Sequence, residues 1–119
     1  YEGGHPDHDA AAFIARQVIR VFETAGLPPP QIVEFTSYHN GAPFASSPEL
    51  RTGEFLPSDS EVRVFHLSAS SAEVKRKMFA RYESQQAMLR HFPIESEKFR
   101  MAPHYDFTKP PHAGALFYE

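Results

Sequence analysis

The stretch that decides the fold is DAAAFIARQVIRVFETAGLPPPQIVEFTS, from Asp9 to Ser37. Up to Gly26 its apolar residues recur at the spacing of one helix face, at Ala11, Ile14 or Ala15, Val18, Phe22 and Ala25. Pro6 suits the first turn of this helix, and Gly26 followed by prolines ends it. The segment QIVEFTS, residues 31–37, is rich in β-branched and aromatic residues and predicts a strand. A helix joined to a strand by a tight turn is half of a βαβ unit, so this order predicts an α/β fold with a mainly parallel sheet.

Downstream of this stretch, the pattern predicts one more strand and a second long helix. EVRVFHL, from Glu61 to Leu67, has the composition of a strand. Ser70 stands three residues before Glu73, the spacing of a capping box, and an apolar face then continues to about His91. A short helical turn is expected at residues 95–100, before a tail rich in proline and aromatic residues.

The composition indicates a single globular domain. The chain has 119 residues with 12 basic and 15 acidic side chains, a formal charge of −3, and 41% of its residues are hydrophobic. These values argue against a fully disordered chain, a basic nucleic-acid binder and a polybasic membrane-surface protein. The absence of cysteine excludes a disulfide scaffold and a Cys-based zinc site, so the seven histidines are the leading metal-ligand and acid–base residues. No segment approaches the roughly 18 to 20 apolar residues that a membrane span needs.

The densest chemical motif is His5-Pro6-Asp7-His8, at the start of the first predicted helix. If Pro6 lies in the first turn, His5 and His8 project to the same side. Neutral imidazole is a common zinc ligand, and Asp7 could fix the tautomer of a neighbouring histidine. The positive end of the helix disfavours a bound cation, so further carboxylates would be needed. The alternative is an exposed helix start with a capping role only, and the HExxH zinc motif is absent.

Together with its neighbours, this motif resembles the LmbE/PIG-L deacetylases, zinc-dependent enzymes that remove acetyl groups from N-acetylglucosamine-containing compounds. EGGHPDHDAAA, residues 2–12, is similar to the second conserved block of that family. Three further segments are similar in the same order: KRKMFARYESQ at 75–85, EKFR at 97–100 and, in some bacterial members, PHAGALFYE at 111–119. The resemblance covers most of the chain and implies a Rossmann-like fold with helices on both faces of its sheet.

The resemblance also implies a role for each residue of the motif. His8 would be one of three protein ligands to a catalytic zinc ion. His5 would act near the substrate carbonyl as general acid or oxyanion stabiliser, with Asp7 orienting or tuning it. The other two ligands and the general base belong to an Ala-His-Pro-Asp-Asp-Glu-like block, which does not occur in this sequence. Some members carry a tyrosine two residues before the first histidine of the motif, where this chain has Gly3.

The chain is therefore expected to be the carboxyl-terminal part, residues 1–119, of one larger deacetylase domain, with the missing block before Tyr1. The expected cofactor is Zn²⁺ and the expected partner is a small N-acetylated sugar or glycoconjugate, with no nucleic acid and no membrane span. A cytoplasmic location is expected, and a homo-oligomer is left open. By itself this part is expected to be inactive and to bind zinc poorly, because one histidine ligand with a neighbour cannot close a tight site.

Four further residues are candidates for substrate contacts: Tyr38, His39, Arg51 and His112. The first two follow the first predicted strand, where α/β proteins place their sites, and they open an aperiodic stretch at 38–60. Arg51 could contact a sugar or phosphate substituent, and His112 could reach the mouth of the active site. The simpler interpretations are a turn at Asn40-Gly41, a solvated charge and a hydrogen-bonded structural histidine.

Two other functions remain open at this stage. The first is a non-catalytic binding or interaction module that keeps the fold and the motif without a complete metal site. The second is a different histidine-rich metallohydrolase. An Ala-His-Pro-Asp-Asp-Glu-like block in the preceding gene sequence would favour the deacetylase, and its absence would favour the module.

Overall fold

The computed structural model describes residues 1–40 and 50–119, and the predicted turn at Asn40-Gly41 therefore lies partly outside the described residues. Within these ranges the chain combines helices with short strands. Its elements, in chain order, are α1 (Pro6–Thr24), β1 (Val33–Phe35), β2 (Tyr38–His39), β3 (Arg51–Thr52), β4 (Val62–His66), α2 (Ala69–Arg81), a 3₁₀ turn (Glu83–Gln85), α3 (Gln86–Leu89) and β5 (Ser96–Met101).

The first predicted helix is confirmed as α1, which begins one residue after His5. His5 is the N-cap: its backbone is extended, and its Nδ1 atom accepts the backbone N–H of Asp7 at 3.1 Å. Asp7 and Asp9 place negative charge at the positive end of the helix, and Gly26 follows its end in the left-handed region at φ 67°. None of the helices in the described ranges combines the length and the apolar character that crossing a membrane requires.

All strand pairs in the described part of the chain are antiparallel. β5 lies between β1 and β4 in a three-stranded sheet, with Glu34 opposite Arg100 and Arg63 opposite Phe99. β2 and β3 form a separate pair in which His39 lies opposite Arg51. The Rossmann-like, mainly parallel sheet is not seen in these ranges, and it stays a prediction for the larger domain.

The two strands predicted at 31–37 and 61–67 are present as the shorter β1 and β4, but the helical turn predicted at 95–100 is wrong. That segment is β5, the central strand of the sheet. It hydrogen-bonds to β1 on one side and to β4 on the other. Both partner strands are distant from β5 in the sequence, so the local sequence could not indicate them.

The second helix is confirmed, but both predicted ends are wrong. Ser68, not Ser70, caps α2, because its Oγ atom accepts the backbone N–H of Ser71 at 3.2 Å. The helix ends at Arg81 rather than near His91, and the chain continues through the 3₁₀ turn and α3. Ser68, two positions before the predicted cap, has the capping geometry. Where several serines precede a helix, the sequence alone does not show which of them is the cap.

A polar cluster, rather than a large apolar core, joins β1 to β5. Among the described residues the buried apolar side chains are Ile19 and Ala72. Arg100 is also buried, with an exposed fraction of 4%. Its guanidinium group binds Glu34 on the neighbouring strand at 2.6 Å and donates to the carbonyl oxygen of Leu56 at 2.8 Å. The position of β1, and of the residues that follow it, therefore depends on this buried arginine.

Candidate functional site

His5 and His8 lie together at the first turn of α1, as their spacing predicts. Their ring centroids are 5.2 Å apart, and each side chain is about half exposed, at 45% and 46%. Because His5 Nδ1 accepts the backbone N–H of Asp7, a neutral His5 carries its proton on Nε2. A neutral His5 can therefore donate a hydrogen bond through Nε2. The carboxylate of Asp7 is 88% exposed and lies 3.8 Å from the same Nδ1 atom, so the contact that orients His5 is made by the backbone of Asp7.

The Nδ1 atom of His8 faces two polar side chains. This atom lies 3.4 Å from the hydroxyl oxygen of Ser37 and 3.5 Å from a carboxylate oxygen of Glu2, which leaves Nε2 without a neighbour of this kind. Burial lowers the pKa of His8, and the nearby His5 lowers it further. The neutral ring is the form that binds a metal ion. His8 also borders a cavity of about 390 Å³ between α1 and β1.

Glu2 is the functional residue that sequence reasoning missed. Its side chain is only 16% exposed and points toward His8. The backbone N–H groups of Glu2 and Gly3 donate to the carboxylate of Asp9, at 2.7 Å for Glu2, and Asp9 also accepts the hydroxyl of Tyr118 at 3.0 Å. Asp9 thus folds the chain back over the start of its own helix. An acidic residue one turn into a helix that follows Gly-Gly was the signal that could have indicated this arrangement.

The two glycines let this turn pack tightly against β2 and the tail. Gly3 adopts φ 76°, in the left-handed region, and a side chain there would also come within 2.9 Å of His112 Nε2. A Cβ atom at Gly4 would collide with the carbonyl oxygen of Tyr38. The motif and β2 are therefore held at a distance that only glycine permits.

Burial raises the pKa of Glu2 from its ordinary 4.5 to about 7. Because the pKa is higher in the folded chain than in the unfolded chain, folding favours the protonated form of Glu2. This contribution to the free energy of unfolding is complete below pH 4.5 and is lost as the pH rises through 7. Replacing Glu2 by glutamine, which is neutral, should therefore raise the free energy of unfolding at pH 8 by about 2 kcal/mol and change it little at pH 4.5.

This expectation is checked by urea unfolding of the chain at both pH values in the presence of a chelator. Glu61→Gln is the matched control, since Glu61 is exposed and no stability gain is expected from it. An equal gain for Glu2→Gln at both pH values would contradict the buried, proton-binding role of this side chain.

Tyr38 lies at the motif, and its predicted contact with a substrate stays a prediction. Its ring packs edge-on against His8 with a centroid distance of 5.6 Å and against Phe117 at 5.5 Å. Burial raises the pKa of the Tyr38 hydroxyl, and the neighbouring Glu2 raises it further. Tyr38 therefore forms one neutral aromatic wall beside the two histidines.

The other three candidates, His39, Arg51 and His112, form a second cluster, which we call the His39 cluster. His39 lies opposite Arg51 in the β2–β3 pair and is 2% exposed. His112 lies against Gly3, and its Nδ1 atom donates to the carbonyl oxygen of Ala113 at 2.9 Å. Burial lowers the pKa of His39, and His112 and Arg51 lower it further. None of the hydrogen bonds, ion pairs and ring contacts found for His5 and His8 in the described ranges involves these three residues.

The donors at the motif suit zinc in kind but are too few for a closed site. Zinc in enzymes takes three protein ligands and keeps one open position. His8 offers an imidazole nitrogen, and the carboxyl group of Glu2 lies 3.5 Å from its Nδ1 atom, where it can orient the ring. Within residues 1–40 and 50–119, however, no three His, Cys, Asp or Glu side chains form a group that could hold a metal ion.

Comparison with known proteins adds no assignment to this site. No protein-family model matches the chain, and no curated protein or solved structure matches it either. The site is therefore characterised by its own geometry: His8 with its Nδ1 atom near Ser37 and Glu2, His5 with its Nδ1 atom accepting the N–H of Asp7, and Glu2 largely buried beside His8.

Proposed function

We propose that this chain contributes part of the active site of a zinc-dependent hydrolase that removes the acetyl group from an N-acetylated sugar or sugar conjugate, as in the LmbE/PIG-L deacetylases. The observation that supports it most is the complementary orientation of the two imidazoles. His8 Nδ1 faces Glu2 and Ser37, and His5 Nδ1 accepts the N–H of Asp7. The Nδ1 atoms thus face the protein in both rings, whose centroids are 5.2 Å apart, and in the proposal one Nε2 atom serves as a metal ligand and the other as a proton donor.

In this proposal His8 holds the zinc ion through Nε2, and Glu2 keeps the ring in that orientation. Bound zinc would polarise the amide carbonyl and lower the pKa of a water molecule. Water adds to the carbonyl carbon, the C–N bond breaks, and acetate and a free amine are released. Two further ligands and a general base are needed, and the described residues hold no group of three His, Cys, Asp or Glu side chains that could bind a metal ion.

His5 has the role of proton donor in the same proposal. Its Nε2–H group can donate to the oxyanion that develops on the carbonyl oxygen. Protonation of His5 at Nδ1, which would break the hydrogen bond from Asp7, would let Nε2 transfer its proton to the departing amine. Tyr38 lines the same side through its contact with His8. Asp7 contributes through its backbone N–H, which fixes the His5 ring.

Replacing His5 by alanine in the intact protein should lower kcat for acetate release by about 10²- to 10³-fold, the usual loss for one oxyanion donor. The zinc content should stay at the wild-type level, because His5 is not a ligand in this proposal. Acetate release and metal analysis of the same preparation measure both quantities. His104→Ala is the matched control, since His104 is an exposed histidine of the tail. Loss of zinc in His5→Ala, or full activity, would contradict the assigned role.

A second candidate function is a non-catalytic binding module. The observation that favours it is the absence of a three-ligand group in the described ranges. In that case the intact protein would hold no stoichiometric zinc, and His8→Ala would leave its ligand binding unchanged. Metal analysis of the intact protein therefore separates the two functions.

A further inference from the structure

The His39 cluster contains buried polar atoms that lack partners. Among the described residues, five such atoms are His39 Nδ1 and Nε2, Asn40 Oδ1, Arg51 Nε and His112 Nε2. Buried polar groups in proteins are almost always hydrogen-bonded, so several unpartnered groups at one place indicate that something can bind there. His39 is only 2% exposed, so bulk water does not reach its ring. His39 lies opposite Arg51 in the β2–β3 pair, and both Arg51 and His112 of the tail are close enough to lower the pKa of His39, so residues from separate segments meet around its ring.

The charges of the cluster favour an anionic occupant. Arg51 is permanently charged, and its unpartnered Nε atom can only donate a hydrogen bond. His112 already donates its Nδ1 proton to a carbonyl, so its Nε2 atom can donate only when the ring is protonated. Burial lowers the pKa of His39, and His112 and Arg51 lower it further, so both neighbours disfavour a positive charge on the His39 ring. A bound anion would relieve this repulsion, whereas a metal cation would increase it.

Glu54 is a negative charge beside Arg51, and it leaves the inner edge of the guanidinium group available. Its carboxylate binds the Nη1 atom at 3.2 Å and is 53% exposed, so water screens much of its charge. The backbone of Glu54 lies close to the His39 ring and favours its protonated form, although neither ring nitrogen of His39 has a partner in good hydrogen-bond geometry. The Nε atom of Arg51 is therefore still without an acceptor.

We propose that His39, Arg51 and His112 form an oxyanion subsite that takes a phosphate or carboxylate group. The subsite lies next to the Gly3–Gly4 turn, because His112 Nε2 packs against Gly3. If the proposed function holds, the anion is a substituent of the sugar conjugate. The subsite itself does not depend on zinc or on catalysis, since none of its groups belongs to the His5–His8 pair.

The test is a titration of the chain with inorganic phosphate and, separately, with acetate, at constant ionic strength set by chloride. The side-chain NMR signals of His39 and His112 should shift with saturation, while those of the exposed His66 and His104 should not. Saturation with phosphate alone identifies a phosphate subsite, and saturation with acetate identifies a carboxylate subsite. Unsaturable shifts with both anions would overturn the proposal and indicate that water fills the cluster.

Substitutions in the cluster test whether its charged side chains bind the anion. Arg51→Ala should weaken anion binding by about tenfold or more, the usual effect of losing a charged hydrogen-bond donor. Arg63→Ala is the matched control, because Arg63 is an exposed arginine of β4. His112→Ala provides a second variant if Arg51→Ala does not fold. Wild-type affinity in both Arg51→Ala and His112→Ala would overturn the subsite.

The His8→Ala variant separates the subsite from the proposed deacetylase function. It should bind the anion as the wild type does, because His8 lies outside the His39 cluster. A failure of the deacetylase proposal would therefore leave the anion titration unchanged. Loss of anion binding in His8→Ala would contradict the independence of the two sites.

Discussion

Replacing His8 by alanine in the intact protein is expected to abolish zinc-dependent acetate release and to lower the bound zinc far below one equivalent. Under the proposed function His8 contributes one of three ligands, and removing a ligand affects both the affinity for the metal and its geometry. The fold should persist, because the side chain is 46% exposed and makes no short hydrogen bond. Metal analysis and an acetate assay with added zinc measure the two effects together.

Two controls separate the loss of the His8 side chain from a general loss of a histidine or of the fold. His66→Ala removes an exposed histidine of β4 and should change neither zinc content nor activity. Circular dichroism would show that His8→Ala keeps its helices. A folded His8→Ala protein with wild-type zinc and wild-type activity would contradict the deacetylase assignment, and activity without zinc would contradict the metal mechanism.

The helices were predictable because their signals are local. α1 carries its apolar stripe, its first-turn proline and its terminal glycine within one continuous stretch. β5 was missed because a strand depends on its neighbours: Phe99 lies opposite Phe35 on one side and Arg63 on the other. These partners are distant in sequence, and no local pattern encodes the order of the strands. The same limitation applies to strand orientation: the pairs in the described ranges are antiparallel, and the mainly parallel sheet suggested by chain order stays a prediction.

The site shows the same division between local and distant information. His5 and His8 were found because three-residue spacing on a helix determines their relation. Glu2 was missed because its approach to His8 requires the Gly3–Gly4 turn and the hydrogen bonds to Asp9. A sequence shows which residues are acidic, but it does not show which of them a backward turn will bury. The His39 cluster was found as single candidates and not as a group for the same reason.

Replacing Arg100 by methionine should lower the free energy of unfolding by about 3–5 kcal/mol, because it leaves a buried carboxylate without its partner. The arginine binds Glu34 at 2.6 Å, and Tyr105 donates to the same carboxylate at 2.7 Å. The guanidinium group also stacks over the ring of Phe55 at 4.2 Å. Domains of this kind are stable by about 5–15 kcal/mol, so this loss is a large fraction of the total.

A surface ion pair of the same length shows why burial decides the size of this effect. Arg76 binds Glu73 at 2.6 Å, but its side chain is 53% exposed, whereas that of Arg100 is 3% exposed. Arg76→Met should therefore change the free energy of unfolding by about 1 kcal/mol or less. Urea unfolding of both variants gives the comparison, and the double variant Glu34→Gln with Arg100→Met should recover part of the loss because no unpaired charge remains. If Arg100→Met and Arg76→Met lower the free energy of unfolding by the same amount, the buried cluster does not hold β1 against β5.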